Sequence, residues 1–296
     1  MSNRILDFSE TPARLRVRYS QLIVERQDRP DVSVPLVDLA VVLASHPQII
    51  FTQAVLSGLA AVGGVFVTCD GHNLPAGMLL PLVAHFAQAE RFAAQAQASL
   101  PTRKRLWQQI VRAKIKAQAA LLVELRGTDF GLNALLPLVH SGDPSNVEAR
   151  AARKYWPYLF ADLEFRRNRD NEDQNVLLNY GYAVLRAIIA RAICAAGLHP
   201  SLGLHHHNRY NGFCLADDLM EPFRPTVDKA VVEYMSTHDE PYQLEAAAKQ
   251  NIIGELTGRY DLNGEQRTLF DVAAHLAASL ADVFLGKREE LDLPEW

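Results

Sequence analysis

Leu106-Trp107-Gln108-Gln109-Ile110-Val111-Arg112-Ala113-Lys114-Ile115-Lys116-Ala117-Gln118-Ala119-Ala120-Leu121 decides the character of most of the chain. Leu106, Ile110, Ala113, Ala117 and Leu121 recur at helical spacing and predict a buried stripe. Arg105, Arg112 and Lys116 line another face, expected to be solvated, and Pro101-Thr102 gives the helix a start. Upstream, Val83 to Leu100 is rich in Ala and Gln and reads as helix. Downstream, a second long helix is predicted from Asn175 to Ala196, stopped by Gly197.

Before Leu82 the period changes. In Arg14-Leu15-Arg16-Val17-Arg18-Tyr19 apolar residues alternate with arginines, as in a half-buried strand. Gln27 to Asp31 is turn chemistry, and Val32-Ser33-Val34-Pro35-Leu36 follows as a strand. Phe51 to Ala61 predicts a short helix, and Gly64 to Cys69 a strand closed by Asp70-Gly71-His72-Asn73. The expected fold class is α+β: a small β-rich domain over 1–81, then a larger all-helical domain over 82–296 that carries any catalytic site. Phe165 to Gln174 is almost wholly polar and predicts a mobile loop, and the charged end from Lys287 to Trp296 is expected to fray.

With 296 residues, 49% hydrophobic and 22% charged, the chain has the composition of a soluble globular protein with a sizeable core. Met1 to Asp7 has no signal-peptide core, and the apolar stretch Ala54 to Val67 is broken by three glycines and a serine. A cytoplasmic protein without a membrane segment is the expectation. Cys69, Cys194 and Cys214 are odd in number and contain no Cys-x-x-Cys pair, which argues against a disulfide framework or a structural zinc site.

The net charge of -4 hides an uneven distribution. Residues 101–200 hold 15 Lys/Arg against 9 Asp/Glu, whereas 201–296 hold 8 against 17. A polyanion responds to the local field, so the centre of the chain can meet nucleic acid while the tail stays solvated.

Three places concentrate groups able to hold a metal. Glu148 follows Asp143-Pro144-Ser145-Asn146, a run suited to a helix N-terminus, and acids are common there because of the helix dipole. His205-His206-His207 lies just past a helix stop, where neighbours in an extended segment face opposite ways. In Asp217-Asp218-Leu219-Met220-Glu221-Pro222, helical spacing pairs Asp218 with Glu221, while Asp217 suits an N-cap. Two such acids repel unless a cation or proton lies between them. A Glu/His/Glu set suits Mg2+ or Mn2+, the imidazole favouring Mn2+, and a sparsely ligated ion supports phosphoryl transfer. Arg150, Arg153, Lys154, Arg166, Arg167 and Arg169 lie in sequence between the first candidate and the other two.

Four motifs then occur in order: Glu148-Ala149-Arg150-Ala151-Ala152 with Tyr155, Asn179 to Leu185, Gly203-Leu204-His205-His206, and Asp218-Leu219-Met220-Glu221-Pro222-Phe223-Arg224-Pro225. Together they resemble the CRISPR adaptation integrase, the larger of the two proteins shared by most CRISPR systems, in its type II form. The resemblance implies a divalent-metal-dependent DNA endonuclease and integrase with Glu148, His206 and Glu221 as ligands. His205 is the alternative ligand, and Asp218 helps hold the site. It implies that a 3′-hydroxyl of captured DNA attacks a repeat phosphodiester. It further implies a homodimer bridged by a small ferredoxin-like partner, with domain 1–81 making those contacts, acting on double-stranded and branched DNA.

Two other classes compete. His238-Asp239 with Asp261 suggests a His-Asp phosphohydrolase, although Ser236 to Pro241 reads as a loop. A helical, non-enzymatic DNA-binding scaffold is the other.

Overall fold

The structure, a computed structural model, describes residues 3–70, 75–238, 242–262 and 264–295. The N-terminal region forms two four-stranded sheets. In one, β1 (Arg4–Phe8) runs parallel to a central strand at Leu39–Ala44. In the other, β2 (Arg14–Arg18), β3 (Gln21–Arg26) and β4 (Arg29–Pro35) form an antiparallel meander. The alternation over Arg14–Arg18 works as read: Leu15 is buried, and Arg16 pairs with Glu25 across the sheet. The central strand is β5 (Leu39–Ala44), and β6 (Ile50–Phe51) joins the meander beside β2. Helix α1 (Gln53–Ala61) leads to β7 (Val65–Cys69), parallel to β5, and β8 (Pro75–Leu79) closes that sheet antiparallel. Gly71 to Asn73, expected to close the strand before them, lie outside the described residues.

β5 escapes the alternation test because both its faces are covered. Val42 and Phe66 enter a core with Leu15, Leu22, Val55 and Leu59. Val41, Leu43, Val65 and Val67 point the other way, into a core continuous with the helices. A strand buried on both sides reads as an unbroken apolar run. The same double burial fastens the strand-rich region to the rest of the chain.

Helix α2 (Gln88–Ala96) starts later than the Ala/Gln composition predicts. Helix α3 (Leu100–Arg126) is capped by the Ser99 hydroxyl, which accepts from the Thr102 amide, and ends at Gly127 with φ 77°. The whole predicted stripe of α3 is buried, but so are Trp107, Lys114 and Gln118. Helix α4 (Val147–Phe160) packs on α3, and α5 (Asn175–Ala195) runs through the centre. By length and composition α5 is apolar enough to cross a membrane, yet here it is the core helix of the fold. Next come α6 (Cys214–Leu219), a 3-10 turn at Glu221–Phe223, α7 (Arg224–Met235) and α8 (Ala246–Leu256).

Among the described residues the C-terminal region also carries a hairpin, β9 (Arg259–Leu262) with β10 (Glu265–Thr268), before α9 (Leu269–Phe284). The sequence there carries Asn263-Gly264, a two-residue hairpin signal, and Gly264 has φ 78°. The tail beyond α9, expected to fray, is held as far as Glu295, and Trp296 lies outside the described residues. Leu291 is buried, its amide donates to Gln109 Oε1 at 2.9 Å, and Glu295 N–H donates to the Asp261 carbonyl at 3.2 Å. The polar segment Phe165 to Gln174 is also pinned. Arg167 donates to Asn175 Oδ1 at 2.8 Å and Asn179 Oδ1 at 2.7 Å, and Asn179 Nδ2 returns a bond to the Arg169 carbonyl. Polarity alone misread it, because these groups satisfy one another instead of water.

Candidate metal centre

Glu148 sits in the first turn of α4, as its surroundings predict. Asn146 caps the helix, and the two Asp143 carboxylate oxygens accept from the amides of Val147 and Glu148, each at 2.9 Å. The helix entry is therefore fixed, and with it the direction of the Glu148 side chain. Its Oε1 lies 2.5 Å from Lys114 Nζ on α3.

Glu221 comes from a different element. Helix α6 ends at Leu219, and Glu221 and Pro222 lie in the 3-10 turn that follows, so Asp218 and Glu221 belong to different elements, although both carboxylates raise the His206 pKa. Glu221 is buried; its Oε1 accepts from Arg224 Nε at 2.8 Å, and its Oε2 lies 2.6 Å from Lys114 Nζ. That second contact is an ion pair without hydrogen-bond alignment. Burial opposes charge on this carboxylate, but Arg224 and Lys114 outweigh it and bring its pKa down to about 2. Burial likewise works against the Lys114 ammonium, and the two glutamates more than offset it, so its pKa is raised. A buried ion cluster is weak evidence for stability, since well-packed apolar groups often do as well. It suits a site that must hold charge in a set geometry.

Asp218, fully buried, organises the histidine loop. Its Oδ2 accepts from the amides of Leu204 at 2.6 Å and His205 at 3.0 Å; its Oδ1 accepts from the His206 amide at 3.3 Å. The same Oδ1 lies 2.6 Å from His206 Nδ1. This bond, against burial, raises the His206 pKa, and it leaves Nε2 as the ring's free nitrogen. Gly203 is required at this turn, because a Cβ there would lie 2.5 Å from the His206 carbonyl oxygen and 3.0 Å from Asp218 Oδ2. His205 stacks flat on Trp107, centroids 4.3 Å apart, and the desolvation of its covered ring face lowers its pKa although the residue as a whole is exposed. Asp217 is not an N-cap: the helix begins at Cys214, and Asp217 pairs with Arg186 at 2.7 Å and accepts from Asn211.

The donor types suit a hard divalent ion, two carboxylates and an imidazole oriented by a carboxylate. Among the described residues, however, no three His, Cys, Asp or Glu side chains already converge as an ion cage. A lysine ammonium lies between the two glutamates, where electrostatics calls for a cation.

Beside Glu221, Arg224 approaches the Tyr182 ring at 4.5 Å, and Arg167 does so at 5.3 Å. The Tyr182 and Tyr155 hydroxyls both donate to the buried Asp228 carboxylate. Burial pushes the Asp228 pKa up to about 6 against those two bonds. Arg167, Arg169, Arg186 and Arg224 line a cleft of about 350 Å3 that also reaches Met78 of β8. Arg169 has no hydrogen-bond or ion-pair partner for its guanidinium among the described residues. Of the other basic residues singled out in sequence, Arg150, Arg153, Lys154 and Arg166 are exposed on the surface.

The match to known proteins covers this whole arrangement. The family model described as CRISPR associated protein Cas1 matches residues 8–139 and 140–243. The chain belongs to the Cas1 family. It is 37% identical over 288 residues to the CRISPR-associated endonuclease Cas1 of Neisseria meningitidis serogroup C (strain 8013), covering 95% of this chain and 93% of that one. In fold it is similar to a casposase bound to integration product, with TM-score 0.81 at 20% identity over 99% of this chain and 93% of that one. It is also similar to a Cas6-RT-Cas1–Cas2 complex, with TM-score 0.76 at 18% identity over 100% of this chain and 36% of that one.

Sequence reasoning left Lys114 and Asp228 without a role and gave Arg224 none beyond its motif. A signal for Lys114 did exist: it follows Ile110 by four positions and precedes Ala117 by three, on the predicted buried stripe, and a buried lysine demands carboxylates. Among the described residues, His238 and Asp261 of the phosphohydrolase reading do not come together. His238 stacks on Tyr234 at 3.9 Å, Asp261 accepts from Gly264 and Gln266 in the hairpin, and Asp239 lies outside the described residues.

Proposed function

We propose that this chain is a divalent-metal-dependent DNA endonuclease and integrase that inserts captured foreign DNA fragments as new spacers into a CRISPR array, in a system of the type II branch. The observation that carries it is the convergence of Glu148 and Glu221, some seventy residues apart in sequence, on one ammonium beside the Asp218–His206 pair. Membership of a family whose relatives are named endonucleases supports it.

In this reading Glu148, His206 and Glu221 hold Mg2+ or Mn2+, with His205 the alternative to His206. The ion supplies Lewis-acid polarisation of the scissile phosphate. Arg224 keeps the Glu221 carboxylate oriented, and Asp218 fixes the imidazole. Arg167 and Arg169 meet phosphates of the strand entering the cleft, a local positive field inside a chain of net negative charge. A 3′-hydroxyl of the fragment attacks a repeat phosphodiester; one P–O bond forms as another breaks, so the exchange needs no external energy source. Mutual orientation of the DNA ends provides much of the acceleration.

The working form is a cytoplasmic homodimer bridged by a small ferredoxin-like partner. A solved assembly of similar fold is a Cas6-RT-Cas1–Cas2 complex, which favours a partner of that kind. The test is nicking and strand transfer on branched DNA with added Mn2+ or Mg2+, with and without the small partner. Glu148→Ala and Glu221→Ala should abolish activity in folded protein, and activity persisting in both would refute the reading. His206→Ala should do the same; loss in His205→Ala alone would move the ligand to the neighbour.

A further inference from the structure

We propose that Lys114 is an internal cation that a divalent ion displaces, and that the cavity lined by Gln118 and Asp228 receives its ammonium. This rests on the metal reading above. Lys114 Nζ lies 2.5 Å from Glu148 and 2.6 Å from Glu221, so it neutralises the carboxylates that the ion would need. A divalent ion on the same oxygens would leave two cations in contact inside a buried site, and one of them must leave.

A place to go is built into the same helix. A cavity of about 170 Å3 is lined by Lys114, Gln118, Glu221 and Asp228, with the guanidiniums of Arg167 and Arg224 and the Tyr182 ring in its wall. Gln118 lies four residues on from Lys114 along α3, on the same side of the helix. Gln118 is 3% exposed, and its Oε1 is buried with no hydrogen-bond partner among the described residues. A buried acceptor without a donor is costly and calls for an explanation. An ammonium on a flexible four-carbon stem supplies that donor by rotamer change alone, with the backbone of α3 fixed. Asp228 supplies the countercharge. Lys114 thus has two positions: between the glutamates without the ion, and beside Gln118 with it.

The experiment is calorimetric titration of Mn2+ into metal-free full-length protein without DNA, for wild type, Lys114→Met, Gln118→Leu and the double variant. If the displaced arrangement is populated about one time in ten, Lys114→Met should bind Mn2+ about tenfold more tightly. Gln118→Leu should weaken binding in the wild-type background and leave it unchanged in the Lys114→Met background. Equal or weaker binding by Lys114→Met, or a Gln118→Leu effect that persists without the lysine, overturns the proposal. If Lys114→Met does not fold without metal, Gln118→Leu alone decides, and unchanged affinity there refutes the displacement. A wild type that takes up no Mn2+ sinks the metal reading itself, whereas a wild type that binds while the variants behave otherwise sinks only the displacement.

Discussion

Removing the Asp218 carboxylate should loosen the histidine loop at a cost of about 3 kcal/mol. Asp218 accepts from three consecutive backbone amides, Leu204, His205 and His206, and from His206 Nδ1. A hydrogen bond to a charged group contributes about 1.5–3 kcal/mol, and an orphaned buried donor costs about 1–3 kcal/mol. These contributions do not simply add, because His205 is exposed and His206 partly so, and their amides can return to water. Leu204 is buried, and its amide, 2.6 Å from Oδ2, has no such escape. One fully orphaned amide, two re-solvated ones and a lost imidazole bond give about 3 kcal/mol for Asp218→Ala. Asp218→Asn keeps one acceptor oxygen but turns an NH2 towards donors, and it should fall between. Urea unfolding followed by circular dichroism measures the loss, and amide exchange locates it: protection at 204–206 should vanish while α5 stays protected. A loss below about 0.5 kcal/mol, the scale of an ordinary surface change, would refute this account of the loop.

Two further predictions concern the supports of the site. A Cβ on Gly181 would lie 2.3 Å from Val227 Cγ1 and 3.1 Å from Ile252 Cγ2, so Gly181→Ala should cost about 1–3 kcal/mol by pushing α5 off α7 and α8. Adding Val227→Ala, itself a cavity mutation, should recover part of that cost in a double-mutant cycle; simple additivity would contradict the packing. Asp228 is expected to make stability depend on pH. Its folded pKa of about 6 lies above the unfolded carboxyl value, so its contribution is fully present below about pH 4 and is lost as pH rises through 6. Between those limits Asp228→Asn should gain stability relative to wild type, by about 3 kcal/mol at most. A difference curve that is flat from pH 4 to 7 would show that the carboxyl is not raised.

How much of this was legible depended on the kind of signal. The stop at Gly197 marked α5, which is buried on nearly every side, whereas periodicity found β2 and α3 because one face of each is set by burial and the rest follows geometrically. Periodicity missed β5, whose double burial erases alternation, and the hairpin at 259–268, although Asn263-Gly264 announced it. The four motifs singled out Glu148, His206, Asp218 and Glu221 as residue types in order. They did not distinguish what each touches, because hydrogen-bond partners are chosen in three dimensions.

The sequence by itself determined the plan of strands before helices, the Cas1 motifs, and the chemical types brought to the site. Only the tertiary structure decided that Asp218 takes the amides of the histidine loop while Glu221 takes Lys114 and Arg224. It alone put Lys114 between the two glutamates. The physical reason is that a charge leaves water only when its countercharge is already close, and that closeness depends on how α3, α4 and the turn at Glu221 pack, which no local pattern encodes.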